Sequence, residues 1–300
     1  CGITAVYYIM QCTIMELILA LSIVVRWKAM PLVDAIAAVD SVDPVAREVD
    51  FLALWHRHCA KLPLIQMAAV GGALADRFAW IFAAGYQGAV RHCFPALEFS
   101  GWAAFAVSED NRDQDALPGV AWANSAEFEE GVVVNGTKTW IAASAIASDL
   151  VFSAGKGGDR RFFRIARDHP GLVIETRAPG RVLPDLSQGS AHFYDVRLAA
   201  TQEVDSRLVA GFGASEVLYI YTAFLASTWV RAEKERKEVE VLLSQAEAIA
   251  GREAISREDV DMVALDKGVQ ALLKHLREFV FGGVGLWRRD YKLVAMYGRH

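Results

Sequence analysis

The chain has only four cysteines, Cys1, Cys12, Cys59 and Cys93, at irregular spacings and with no CxxC pair. Zinc knuckles and disulfide frameworks are thereby excluded as the basis of the fold, and a reducing, cytoplasmic setting is expected. A basic surplus is missing as well: 31 Lys and Arg stand against 36 Asp and Glu, for a formal charge of -5. Without a basic footprint nucleic acid is not an expected partner, and an acidic surface does not favour anionic membranes. Internal repeats, low-complexity tracts and βαβ alternation are absent. The apolar run from Ile3 to Val25 has no positive segment before it and no small-residue cleavage site after it, and Gln11 and Glu16 interrupt it. A buried or interface helix is expected there rather than a signal or a membrane span.

What is present is apolar content, 54% over 300 residues, enough for one large core or two to three smaller ones. Up to about residue 100 the apolar stretches show little alternation and are punctuated by Pro31, Asp43-Pro44, Pro63, Gly71-Gly72 and Gly85, each a natural helix end. Ala73 to Ala84 has the spacing of one buried helical element, and Tyr86 to Leu97 reads as a short helix stopped near Pro95.

From about Gly101 the period shortens to two and turn residues recur. Strands are expected at 102–107, 120–128, 131–134, 150–154, 161–165, 172–176 and 190–196. Asn135-Gly136 lies between Val132-Val133-Val134 and Thr137-Lys138-Thr139-Trp140, which predicts a tight hairpin, since both central residues of a type I′ turn need positive φ. After Asp205 helical character returns, from about Ala214 to Ala250. Ser256-Arg257-Glu258-Asp259 then reads as a cap opening a helix whose buried side carries Val260, Val263, Ala264, Leu272, Leu273, Leu276 and Val280. The fold class expected is α+β, mainly α. A helical domain covers residues 1–100, a small β-barrel or sandwich 101–205, and a helical domain 206–300.

Isolated chemical signals are weak. His56, His58 and Cys59 lie too close along a helix to share one ion. Gly282-Gly283-Val284-Gly285 follows a helix and not a strand, so it reads as a helix end and not a dinucleotide fingerprint. Asp110, Asp113 and Asp115 read as an exposed acidic loop.

The order helix, β domain, helix carries words as well as grammar. Gly85-Tyr86-Gln87 through Phe94-Pro95-Ala96-Leu97, Phe105-Ala106-Val107-Ser108-Glu109, Val134-Asn135-Gly136-Thr137-Lys138-Thr139-Trp140-Ile141, Pro170-Gly171-Leu172-Val173, Phe193 to Ala199 and Phe281-Gly282-Gly283-Val284-Gly285 together resemble the acyl-CoA dehydrogenase family. Residues 85–200 match with fair density and 276–297 thinly. The resemblance implies an FAD-dependent α,β-dehydrogenation of an acyl thioester, on CoA or a carrier protein, by an oligomer with a related subunit. It also implies a C-terminal helical bundle shorter than the family's.

By that resemblance Phe105, Val107 and Ser108 contact the flavin ring, Trp140 covers its face, and Ile141 and Ala142 on the same strand, with Gly282 and Gly283 in the turn of the last helices, are further cofactor-binding positions. Departures accompany the match: Asp110 replaces Pro, Ala142 replaces a hydroxyl-bearing Thr, and Phe279 replaces Gln. The family's usual catalytic Glu lies beyond the matching segments. Some members place the base in the first helix of the C-terminal region, where Glu216 stands in this chain; a first-turn acid complementing the helix dipole is the other reading. The resemblance therefore leaves two functions open, a flavin-dependent acyl-CoA dehydrogenase, or an FAD-poor, non-catalytic subunit supporting one.

Overall fold

A computed structural model describes residues 30–39, 44–109, 119–124, 131–276 and 287–298, with the side chains of 287–291 left aside. Helices α1 (Leu32–Ala37), α2 (Glu48–Cys59), α3 (Leu64–Leu74) and α4 (Phe78–Cys93) precede the strands. Helices α5 (Ser206–Val209), α6 (Phe212–Arg231), α7 (Arg236–Ala250), α8 (Val260–His275) and α9 (Trp287–Tyr297) follow them. The run Ile3 to Val25, the acidic loop from Asp110 and the glycines Gly282 and Gly283 lie outside the described residues. No helix among the described residues is long and apolar enough to cross a membrane.

Antiparallel packing of α4 and α6 organises the helical core. A Cβ added at Gly72 on α3 would lie 2.1 Å from the Ala223 carbonyl oxygen, so only glycine lets α3 and α6 come this close. The single element expected over Ala73 to Ala84 is in fact broken. Ala75 is extended, and Asp76 accepts from the Val45 amide at 3.0 Å while pairing with Arg77; these polar anchors hold the break open. The helical run expected from Ala214 to Ala250 also divides, at Ala232, where Arg231 turns inward onto the Ala73 and Ala75 carbonyls. Helix α8 starts after Asp259, three residues beyond the cap expected at Ser256. Its buried side is Met262, Leu265, Val269, Leu272, Leu273 and Leu276, whereas Val260 is 78% exposed.

The eight strands among the described residues form a two-sheet sandwich and not a barrel. One sheet runs in the order β1 (Ala103–Ala106), β4 (Asp149–Ala154), β5 (Arg161–Ala166) and β8 (Glu203–Val204). The other runs β2 (Val120–Asn124), β3 (Val132–Ala142), β7 (Gln188–Leu198) and β6 (Leu172–Thr176). Strands β1 and β4 are parallel, and the remaining pairs are antiparallel. Phe152 and Phe193 meet between the sheets with ring centroids 4.4 Å apart.

The hairpin expected at Asn135-Gly136 does not form. β3 runs continuously from Val132 to Ala142, and the register against β7 shifts between Val134 and Gly136. Gly136 takes its positive φ of 132° in a bulge. The Asn135 side chain is occupied across the sheet, accepting from the Asp195 amide at 2.8 Å and donating to its carboxylate at 2.9 Å. Asp195 itself has φ 49°, so the irregularity is shared by the two partner strands. Of the two positive φ values that a type I′ turn needs, Gly136 has one and Asn135 has none, and pairing with β7 sets the direction of the chain afterwards.

Candidate functional site

β1 is an edge strand, and helix α4 satisfies its free edge with side chains. The Gln87 amide donates to the Ala103 carbonyl and accepts from the Ala103 amide, both at 3.0 Å. The Tyr86 hydroxyl accepts from the Phe105 amide at 2.7 Å and donates to its carbonyl at 3.3 Å. Two adjacent α4 residues thus replace a neighbouring strand and fix β1 against the helices.

Just past β1 the chain turns outward. Phe105 is buried, Val107 is 41% exposed and Ser108 is exposed. The Ser108 carbonyl accepts from the Thr139 amide at 2.9 Å, which places this segment beside the end of β3. There the Trp140 indole donates to the Gln188 side chain at 3.0 Å, so its ring is fixed. Ile141 and Ala142 are buried, the first in the sandwich core and the second against the helices. Structure therefore brings Val107, Ser108 and Trp140 to one edge of the sandwich and puts Ile141 and Ala142 behind it.

Lys138 pins that edge from inside. Its side chain is fully buried, pairs with Glu109 and donates to the Ser153 hydroxyl at 2.9 Å. Burial pushes its proton affinity down, and Glu109 opposes this. One charged pair thereby joins the segment after β1 to β3 and β4.

Glu216 is the fifth residue of α6, past the first turn, and is half-buried. The Tyr297 hydroxyl on α9 donates to it at 3.2 Å. Burial raises its pKa to about 7; the Tyr297 hydrogen bond and the charge of Arg257 pull the other way. Tyr86 also lies within the field of Glu216, so one residue contacts both the carboxylate's surroundings and the backbone of β1. Phe212, at the start of α6, packs on Phe105 with centroids 4.3 Å apart and meets the Tyr86 ring edge-on at 6.0 Å.

A cavity of about 730 Å³ opens beside this cluster. Its walls include His92 and Cys93 at the end of α4, Gly213 to Ser215 on α6, and Ser256 and Arg257 between α7 and α8. The elements that carry Glu216 and its neighbour Arg257 thus line a space large enough for a small organic molecule. Tyr86 and Lys138 lay within the segments that signalled the β domain, although their roles did not show there. Arg257 and Tyr297 came with no sequence signal, because contact between positions 216, 257 and 297 exists only after α6, α8 and α9 pack.

No protein-family model matches the sequence, and no curated protein matches it. Solved structures do share its fold. The apo-form of PigA is 15% identical and aligns over 89% of each chain with a TM-score of 0.59. The prolyl acyl carrier protein oxidase AnaB is 13% identical over 80% of each chain, with a TM-score of 0.58. An FAD-dependent dehydrogenase is 12% identical over 77% of this chain and 79% of its own, with a TM-score of 0.57. The chain shares the fold of these structures: helical regions on both sides of a β-sandwich, in the order the sequence words announced.

Proposed function

We propose that the chain binds FAD against the sandwich edge and dehydrogenates an acyl thioester between its α and β carbons. The residues at that edge suit a planar ring: Val107 offers an exposed apolar surface, Ser108 a hydroxyl, and Trp140 an indole that its bond to Gln188 keeps in one place. FAD, when bound, supplies the two-electron acceptor for the hydride leaving the β carbon. Glu216 takes the α proton. Its pKa of about 7 leaves roughly half of it ionised at neutral pH and lets it hold the proton it receives. Tyr297 and Arg257 keep the ionised form available in a site that burial makes unfavourable for charge. The cavity between α4, α6 and the α7–α8 connection would admit the thioester arm of a CoA or carrier-bound substrate.

The carrying observation is Glu216, a carboxyl that accepts from Tyr297, is shifted toward neutrality by burial, and follows directly on Ser215, which lines the cavity together with Arg257. Flavin absorbance and thioester turnover test the reading. Purified protein is expected to be yellow, or to become yellow with added FAD, and Glu216→Gln is expected to lower kcat at least 100-fold while leaving the flavin bands. A protein that stays colourless with excess FAD sinks the reading, and full turnover by Glu216→Gln removes Glu216 as the base.

Two observations favour a second reading, a non-catalytic subunit that supports a related, active one in a hetero-oligomer. Phe212 packs directly on Phe105, and Ala142 is buried without a hydroxyl, so the ring edge has fewer polar handles and less space. Under this reading the protein alone takes up no FAD and co-purifies with a longer flavin-bearing homologue.

A further inference from the structure

The C-terminal helix contributes to the Glu216 site from 81 residues away in sequence. Hydrogen bonds to two of its carbonyls hold α9 in position. The Gln270 amide on α8 donates to the Val294 carbonyl at 3.2 Å and to the Tyr221 hydroxyl at 3.0 Å. Arg257 donates to the Tyr297 carbonyl. Tyr221 in turn donates to the buried Asp266 at 2.6 Å, so α6, α8 and α9 are tied by one polar chain. At its end the Tyr297 hydroxyl points at Glu216 Oε1.

We infer that Tyr297, clamped by Arg257 and Gln270, is the positioning residue that fixes the Glu216 carboxylate for proton abstraction; the inference rests on the reading of Glu216 as the base. The alternative, a tyrosine that merely fills space, does not account for the geometry. A buried hydroxyl takes whatever partner lies in reach; this one takes the Glu216 carboxylate, while Arg257 and Gln270 hold the backbone of its helix at two carbonyls. Burial and the nearby carboxylate push the Tyr297 phenol far above its ordinary pKa, so it keeps its proton and stays a donor when Glu216 ionises. Other groups that face Glu216 are Tyr86 and Cys93 on α4 and Arg257 before α8. Burial pushes the Tyr86 phenol and the Cys93 thiol upward, so both are neutral near pH 7 and Arg257 is the one nearby cation among the described residues. Among the described residues Tyr297 is then the neutral donor on the carboxylate, and its removal is felt as a change in proton affinity.

The test is a titration of the full chain carrying carboxyl-13C glutamate, with the Glu216 resonance assigned by its loss in Glu216→Gln. The parent midpoint is expected near 7. In Tyr297→Phe, which keeps the ring and its packing, the midpoint is expected to rise by about one pH unit, tenfold in proton affinity. Turnover of the flavin-loaded variant is expected to show kcat reduced about tenfold or more with KM changed less than twofold, and the acid limb of its pH profile displaced upward with the midpoint. An unchanged midpoint overturns the inference whatever the activity. A displaced midpoint with undiminished kcat shows a contact without a positioning role and overturns it too. Displacement in a protein that takes up no FAD retains the contact between Tyr297 and Glu216 and overturns the proposed dehydrogenation instead. A heat-denaturation scan of Tyr297→Phe at pH 5, where Glu216 is protonated in both proteins, separates loss of the fold from loss of the bond.

Discussion

The sandwich edge and the Glu216 cluster lie side by side, and they are built in opposite ways. At the edge, Val107 and Ser108 follow β1 directly and Trp140 closes β3. The contacts that hold them are the Thr139 amide on the Ser108 carbonyl, the Trp140 bond to Gln188 and the Lys138–Glu109 pair, all within the sandwich. The Glu216 cluster draws single residues from α4, α6, α9 and the connection before α8, and a hydroxyl and a guanidinium hold it. A site assembled within a sheet inherits its geometry from the backbone ladder. One assembled between helices depends on each helix being docked, and its chemistry is correspondingly more sensitive to distant change.

Removing one partner of the charged pair breaks the edge most severely. Lys138→Ala leaves Glu109 half-buried without its cation, and the loss expected is about 3–5 kcal/mol of unfolding free energy, measured by denaturant titration. Replacing both partners, as Lys138→Met with Glu109→Leu, is expected to restore most of that, because a matched apolar pair no longer strands a charge. If the double variant were as unstable as the single one, the pair would not act as a unit and the rigidity of the edge would need another source.

The Glu216 cluster is sharpened by pH. Its folded pKa near 7 lies above the unfolded value of 4.5, so the folded state binds the proton more tightly. Below pH 4.5 the group is protonated in both states and costs nothing. Between pH 4.5 and 7 the unfolded chain ionises first and stability falls as pH rises; above 7 the penalty is constant. A gap of this size corresponds to about 3 kcal/mol as an upper bound, reduced by the solvent that still reaches the carboxyl. Glu216→Gln is therefore expected to gain on the parent between pH 4.5 and 7.5 in thermal unfolding. A constant difference across that window would mean that Glu216 is no harder to ionise when folded.

The same contrast governs what the sequence revealed. Strands β4, β5 and β6 stood within a residue or so of their observed limits, because alternation and flanking glycines are local signals. Gly136 carried the right conformational need, positive φ, but a bulge and a hairpin both use it, and only the partner strand decides between them. Helix interruptions at Ala75 and Ala232 were invisible because the groups that stabilise them, Val45 for Asp76 and the Ala73 and Ala75 carbonyls for Arg231, are remote in sequence. The words Phe105 to Glu109 and Val134 to Ile141 located the sandwich edge; no comparable word marked Tyr297.

Helix α8 shows the limit of periodicity at its smallest. Val260 fits the apolar stripe on spacing, yet it is the first residue after the Asp259 cap and stands exposed to solvent. Met262, two positions on, is buried. Val260→Ser is expected to change unfolding free energy by less than about 0.5 kcal/mol, as exposed positions do, while Met262→Ala costs about 2–5 kcal/mol through the cavity it leaves. Equal losses at the two positions would mean that a partner surface covers Val260 in solution, and the stripe read from spacing alone would then describe the assembled protein better than the single chain does.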